Sequence, residues 1–163
     1  MKRQKLKSRK MMFRTHLIFS FLIGLLIITS FNIQNKIIFI AILLIASIIP
    51  DIDSYKSKIG KKIKPLSFLI NIFLGHRGIF HSLFLLILIS FVIAIVKTEP
   101  AIAFFIGYLS HLLLDSLTPE GVMFFYPFSK KRTKGFIRTG SLFENIFFFI
   151  LIILCYIQFL LVN

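Results

Sequence analysis

Long apolar stretches alternate with short polar segments along almost the whole chain of 163 residues. A helix that crosses a bilayer needs roughly 17–25 predominantly apolar residues, and it must satisfy its own backbone groups there. The pattern therefore predicts an all-α, multi-pass transmembrane helical bundle of about five spans. A further apolar piece, 65–74, is too short to cross and is expected to form an interfacial or re-entrant helix. The predicted spans are 15–31, 37–50, 79–96, 100–117 and 142–162.

The composition is typical of a membrane protein and indicates a single folded domain. Hydrophobic residues make up 57% of the chain, which is too many for a soluble domain of this length. No Ser-, Gly- or Pro-rich linker interrupts the sequence, so we expect a basic cytoplasmic tail, 1–14, followed by a single transmembrane domain, 15–163. The only cysteine, Cys155, lies in an apolar run. Because the chain has a single cysteine, it can form neither an internal disulfide nor a Cys-based zinc site. Cys155 is therefore expected to be a packing residue.

The Lys and Arg residues are distributed very unevenly between the two sides of the predicted spans. Of the 20, only Lys36 and Lys97 lie in the connections between the first and second and between the third and fourth spans. Because cytoplasmic loops collect basic residues, we expect an inner-membrane protein with a cytoplasmic N-terminus. The asymmetry accounts for most of the +14 net charge, so no specific nucleic acid is expected. The first apolar run lacks a small-x-small cleavage site and is expected to be retained.

Side chains that commonly bind metals collect at the cytoplasmic ends of the spans. Ionisable groups at the edge of a bilayer cost free energy unless they are paired, metal-bound or hydrated. One such residue alone is more often a helix cap or an interfacial polar group, but eight at one depth favour a shared site. The eight are His16, Asp51, Asp53, His76, His81, His111, Asp115 and Glu144.

The spacing of these residues agrees with metal binding. His111 and Asp115 are four apart, so a helix places both on one face. His76 and His81 are five apart, which an ideal helix would separate, but a helix that begins near Gly78 would leave His76 in a loop. The clustered carboxylates would repel one another, and divalent cations would offset their charge.

The mixture of nitrogen and oxygen ligands without thiolate fits zinc, manganese or iron. Because eight candidates exceed the needs of one tetrahedral ion, we expect two or more divalent ions, an arrangement that suits phosphoester hydrolysis. Asp51 or Glu144 is expected to act as a base or to orient water. Arg77 and Arg138 are candidates for a phosphate clamp, although both are equally well explained as ordinary positive-inside charges.

Five blocks of the chain carry its histidines and most of its acidic residues: "THLIFSFLIG", "IPDIDS", "GHRGIFHS", "GYLSHLLLDSLTPEGV" and "RTGSLFEN". In this order they resemble the YdjM-like family of inner-membrane metal-dependent hydrolases. The resemblance covers nearly the whole chain except the basic tail, and it implies a distant similarity to zinc-dependent phospholipases C and P1-type nucleases. It also implies a metal site formed by His16, Asp53, His76, His81, His111 and Asp115, with Glu144 as a further candidate. Phe80 departs from the small or hydroxyl residue expected before the second histidine of its block.

The preferred interpretation is a metal-dependent hydrolase of phosphoesters in lipid or lipid-linked substrates, reached from the cytoplasmic leaflet. Its expected partners are membrane lipids and a lipid or lipid-phosphate substrate. The alternative is a non-enzymatic metal-binding membrane protein, either a sensor or a transporter. Transport sites usually lie near the membrane midplane, whereas these residues lie at one boundary, which disfavours transport. A third alternative, a structural protein whose basic tail contacts anionic lipid or nucleic acid, leaves the clustered histidines unexplained.

Overall fold

The computed structural model describes residues 13–53 and 78–162, and within them it contains five α-helices and no β-strand. The all-α prediction is confirmed for these residues. The predicted helix 65–74 lies outside the described residues, as do His76 and Arg77. Two short 3₁₀ turns cover Ile49–Asp53 and Ile79–His81. The helices are α1 Phe13–Ser30, α2 Lys36–Ala46, α3 Leu83–Val96, α4 Thr98–Ser116 and α5 Leu142–Val162.

Hydrogen bonds between the helices fix their relative directions. α1 and α5 run parallel, because the Thr15 hydroxyl donates to Glu144 at 3.2 Å near their starts and Gln158 donates to Thr29 at 3.1 Å near their ends. At the far end of the bundle, the Gln34 amide donates to the Glu99 carboxylate at 3.2 Å. The starts of α1 and α5 therefore lie at one end of the bundle. The α1–α2 connection and the start of α4 lie at the other end.

The closest helix contact in the core depends on a glycine. A Cβ atom added to Gly107 of α4 would lie 2.1 Å from the carbonyl oxygen of Leu43 in α2. Since backbone atoms cannot move aside as a flexible side chain can, only glycine allows this approach. Nearby, the hydroxyls of Ser20 and Ser110 lie 2.6 Å apart and join α1 to α4. Cys155 is buried among apolar residues of α1 and α5, as predicted.

The helix lengths modify the predicted set of spans. In the described part of the chain, two helices are long and apolar enough to cross a membrane, Phe13–Ser30 and Leu142–Leu161. α2 has 11 residues and α3 has 14. The predicted third span, 79–96, is shortened because Ser82 adopts an extended conformation and its hydroxyl accepts the Leu85 amide, which starts the α-helix at residue 83. The described helices thus support two spans by length and hydropathy, fewer than the five predicted.

The connection between α4 and α5 folds back against one end of the bundle. Val122 and Thr133 exchange two backbone hydrogen bonds of 3.0 and 2.9 Å. Gly121, with a φ of 65°, permits the turn that leads into this pair. The Leu83 amide at the start of α3 donates to the Phe124 carbonyl at 2.9 Å. The connection is therefore attached to the bundle at the end where α4 finishes and α3 begins.

Candidate metal centre

The centre of the site is a buried carboxylate surrounded by three histidines from different elements. α4 supplies Asp115 and His111, whose spacing of one helical turn places both on one face. Nε2 of His81 and Nε2 of His111 lie 3.3 Å and 3.6 Å from Oδ2 of Asp115. Nε2 of His16, from α1, lies 3.5 Å from Oδ1. The structure thus brings together four of the six residues that the family resemblance implied as ligands.

The nitrogen–oxygen separations are compatible with ligand atoms around a shared ion. They exceed the 2.7–3.2 Å typical of N–H···O hydrogen bonds. Ligands bound to tetrahedral zinc at about 2.0–2.1 Å lie about 3.3–3.4 Å from one another. The three nitrogen–oxygen distances, 3.3, 3.5 and 3.6 Å, are close to that spacing.

Several polar atoms of the site are buried without a hydrogen-bond partner among the described residues. They are both ring nitrogens of His16, Nε2 of His111 and both carboxylate oxygens of Asp115. Burying such atoms without a partner costs free energy, and a cation bound between them would remove that cost. The donor chemistry, three imidazoles and one carboxylate, fits a divalent transition metal.

The orientation of His111 is fixed from the side away from the cluster. Its Nδ1 lies 2.7 Å from the carbonyl oxygen of Ser47, the residue that ends α2. Because a carbonyl oxygen only accepts, Nδ1 carries a proton, and Nε2 faces Asp115. The ring of His16 stacks on that of His111 with centroids 4.1 Å apart. These two contacts therefore fix the orientation of His111 as a potential metal ligand.

Asp51 approaches the same cluster from the 3₁₀ turn after α2. One potential ligand atom each from Asp51, His81 and His111 lie within 4.8 Å of one another, as do those of His16, His111 and Asp115. Asp51 is buried. The residue expected to act beside the ligands is thus within reach of two of them. Asp53, expected to be a ligand, ends the same turn, but its side chain lies outside the described residues.

Glu144 occupies a separate buried position at the start of α5. Its carboxylate accepts hydrogen bonds from the Thr15 hydroxyl and from the Gly140 amide. Thr15 directly precedes His16, so these bonds hold α5 and the end of the α4–α5 connection against the start of α1. Neither group of potential metal ligands includes Glu144. Its expected role as a base remains a prediction.

Tyr108 supports the site although the sequence analysis did not select it. Its buried hydroxyl donates to the carbonyl oxygen of Phe80 at 2.6 Å, directly before His81. Tyr108 lies one turn before His111 on α4, so one helix supplies two potential ligands and braces a third. That spacing was visible in the sequence, but nothing in it identified the partner carbonyl.

The predicted phosphate-binding arginines are not placed in the cluster. The side chain of Arg138 is exposed in the α4–α5 connection, and Arg77, like His76, lies outside the described residues. The described site therefore consists of His16, His81, His111 and Asp115, with Asp51 adjoining them.

Comparisons with known proteins identify the family of the chain. The family model described as YdjM inner membrane protein matches residues 11–162. The chain belongs to the YdjM inner membrane protein family. The matched region includes every residue of the described site, and membership makes this a membrane protein.

Two relatives show how far the similarity extends. The uncharacterized protein YvsG of Bacillus subtilis (strain 168) is 32% identical over 105 residues, which cover 63% of this chain and 66% of the relative. The inner membrane protein YdjM of Escherichia coli (strain K12) is 35% identical over 91 residues, 52% of this chain and 46% of the relative. The chain therefore spans less than two thirds of the length of these relatives. No solved structure matches the chain.

Proposed function

We propose that this protein is a membrane-embedded, metal-dependent hydrolase of phosphoesters in lipid or lipid-linked substrates at the cytoplasmic leaflet. The observation that carries the proposal is the buried group of three histidines around Asp115, with Asp51 beside it. We also propose, as part of the same hypothesis, that the protein is distantly similar to zinc-dependent phospholipases C and P1-type nucleases.

The proposed metal is zinc, with manganese and iron as alternatives of similar ligand preference. His111 belongs to both groups of potential ligands, and the bond from its Nδ1 to Ser47 leaves only Nε2 to bind an ion. Since one nitrogen lone pair binds one ion, the two groups of three potential ligands compete for His111 and cannot both be complete at once. A second ion, as the sequence analysis expects, would need further ligands, for which Asp53 and His76 are the proposed residues.

Each residue of the site has a proposed role in the reaction. A bound divalent ion supplies positive charge that polarises a phosphoryl oxygen and lowers the pKa of water. His16, His81, His111 and Asp115 are the residues that would hold the ion. Asp51 would accept the proton of the attacking water as the new P–O bond forms, and the P–O bond to the leaving alcohol would break, the alcohol taking up that proton. The proposed clamp by Arg77 or Arg138 would bind phosphoryl oxygens through charge-assisted hydrogen bonds.

The proposed topology places this chemistry at the cytoplasmic face. The starts of α1 and α5, which carry Thr15 and Glu144, lie at the end of the bundle that contains the site. The Lys and Arg distribution favours the cytoplasm for that end. Shorter helices such as α2 and α3 would then cross together with their flanking turns, for a total of about five passes.

The proposal is tested with detergent-purified protein and a panel of phospholipids, lipid phosphates and soluble phosphoesters in mixed micelles. The holoprotein should hydrolyse a lipid phosphoester, and EDTA treatment should abolish turnover until metal is restored. Asp51→Asn should reduce turnover by about 10²–10⁴-fold, the usual contribution of a general base, while metal remains bound. Glu99→Gln, at the opposite end of the bundle, should leave turnover and metal unchanged.

A failure of turnover would favour the non-enzymatic alternative. The burial of His16, His81, His111 and Asp115, each at most 2% exposed, is the observation that favours a closed sensor or structural site. If the whole panel shows no metal-dependent turnover while the ion stays tightly bound, the hydrolase proposal is wrong. If Asp51→Asn loses metal and turnover together, Asp51 is a ligand rather than the base.

A further inference from the structure

The α4–α5 connection presents basic and aromatic side chains on one exposed loop. Residues 123–138, called here the basic-aromatic loop, contain five Lys and Arg residues and no Asp or Glu. Three phenylalanines project outward, Phe125, Phe128 and Phe136, which are 65, 84 and 81% exposed. Large exposed apolar groups of this kind mark interaction surfaces. The exposed basic residues are Lys130, Lys131, Arg132, Lys134 and Arg138.

The fold holds this loop in place. Backbone bonds between Val122 and Thr133 close it, and the Gly135 amide donates to the Thr118 carbonyl at 3.0 Å. The Ile137 amide donates to the carbonyl of Leu117 at 2.9 Å. Because the backbone is fixed at several points, the outward position of the rings is a property of the folded loop.

The anchoring points of the loop lie beside the metal centre. Leu117 and Thr118 follow Asp115 directly on α4, and the Thr118 hydroxyl donates to the Asp115 carbonyl at 2.7 Å. Leu83, whose amide binds the Phe124 carbonyl, lies two residues after His81. The loop therefore forms part of the rim of the site at this end of the bundle.

We propose that the basic-aromatic loop docks on the headgroup layer of an anionic phospholipid leaflet, with its rings in the interface and its cations on lipid phosphates. Aromatic rings favour the boundary between headgroups and acyl chains, and basic residues are attracted to anionic lipid. A soluble anionic partner would account for the cations but would leave the rings of Phe125 and Phe136 exposed to water, and that of Phe128 largely exposed apart from its edge contact with Phe84. This inference rests on the proposed function. If the loop concentrates anionic phospholipids beside the metal centre, the substrate class is narrowed from phosphoesters in general to anionic phospholipids.

The absence of tryptophan from the chain permits a direct test. The full-length Phe136→Trp variant carries a single tryptophan on the loop, and it is placed in nanodiscs whose lipids have brominated acyl chains. Bromine quenches a tryptophan that enters the bilayer interface. Quenching should increase as phosphatidylglycerol replaces phosphatidylcholine and should weaken at high salt.

Charge-removing variants separate docking from general membrane insertion. Lys130→Gln, Lys131→Gln and Lys134→Gln together should lower the apparent affinity for phosphatidylglycerol by at least about tenfold. The matched control, Lys36→Gln with Lys97→Gln, removes charge at the opposite end and should have no effect. Circular dichroism should show unchanged helix content in both.

Three results would overturn the proposal. Quenching that is independent of the phosphatidylglycerol content would exclude recognition of anionic lipid. Quenching that survives the triple lysine variant would exclude these cations as its source. A fluorescence change produced by soluble polyglutamate but not by phosphatidylglycerol would assign the loop to an acidic protein partner. All measurements are repeated after EDTA treatment, so lipid docking is judged separately from hydrolysis.

Discussion

Nδ1 of His111 donates a hydrogen bond of 2.7 Å to the backbone carbonyl of Ser47, which joins the helix with the most potential ligands to the end of α2. The bond fixes both the tautomer of His111 and the direction of Nε2. It also places the turn that carries Asp51 beside the cluster. The local contact between α2 and α4 therefore shapes the site as well as the core.

The ligand assignment predicts that His81→Ala and Asp115→Ala each weaken metal binding by at least about 10²-fold, because each removes a ligand atom from the proposed centre. Metal content and affinity are measured on purified protein by elemental analysis and chelator competition. Glu99→Ala is the control, since Glu99 accepts a bond from the Gln34 amide at the opposite end. Equal affinity in all three variants would contradict the assigned centre.

The contact between Tyr108 and the Phe80 carbonyl predicts that Tyr108 affects metal binding without itself binding the ion. Tyr108→Phe removes only the hydroxyl that braces the turn before His81. We expect metal affinity to fall about 10–100-fold, as is typical when an outer-shell partner is lost, while helix content stays unchanged. The control is Tyr156→Phe, which removes a hydroxyl from an exposed position of α5 and should leave metal affinity unchanged. If both variants bind metal as the wild type does, Tyr108 has no positioning role.

The close approach of α2 and α4 predicts that Gly107→Ala destabilises the fold. The added methyl group would meet the backbone of Leu43, and the helices would have to separate at a cost of about 1–3 kcal/mol. The midpoint of thermal or denaturant unfolding in detergent measures the effect. At Gly24 the nearest atom to an added Cβ is the flexible Cδ1 end of Ile40, so Gly24→Ala should cost less. The reverse order would show that α2 and α4 can separate freely.

The proposed topology predicts opposite labelling of two engineered cysteines. In a Cys155→Ala background, a membrane-impermeant maleimide added to intact cells should label Lys97→Cys. Lys131→Cys should react only after the membrane is permeabilised, because the basic side is expected to face the cytoplasm. A Lys62→Cys reporter should behave as Lys131→Cys does. Labelling of either basic-side reporter in intact cells would reverse the orientation.

The sequence alone determined the class of the fold and one local part of the site. Apolar runs predicted α1, α4 and α5 closely, because a long apolar helix satisfies its own backbone groups whatever its neighbours are. The i and i+4 spacing of His111 and Asp115 predicted their shared face, since it depends only on helical geometry. The same logic overestimated α3, because the local cap at Ser82 ends the 3₁₀ turn and starts the helix later than the apolar run begins.

Only the tertiary structure decided which of the polar residues meet. His16 and His81 reach Asp115 because α1 and the turn before α3 pack against the end of α4. The bonds from Thr15 and Gly140 place Glu144 in its own buried position. Contacts of this kind join residues from distant parts of the chain, often through backbone carbonyls that every residue possesses, so no sequence pattern encodes them. The sequence predicted that these side chains share one end of the bundle, whereas helix packing determined their partners.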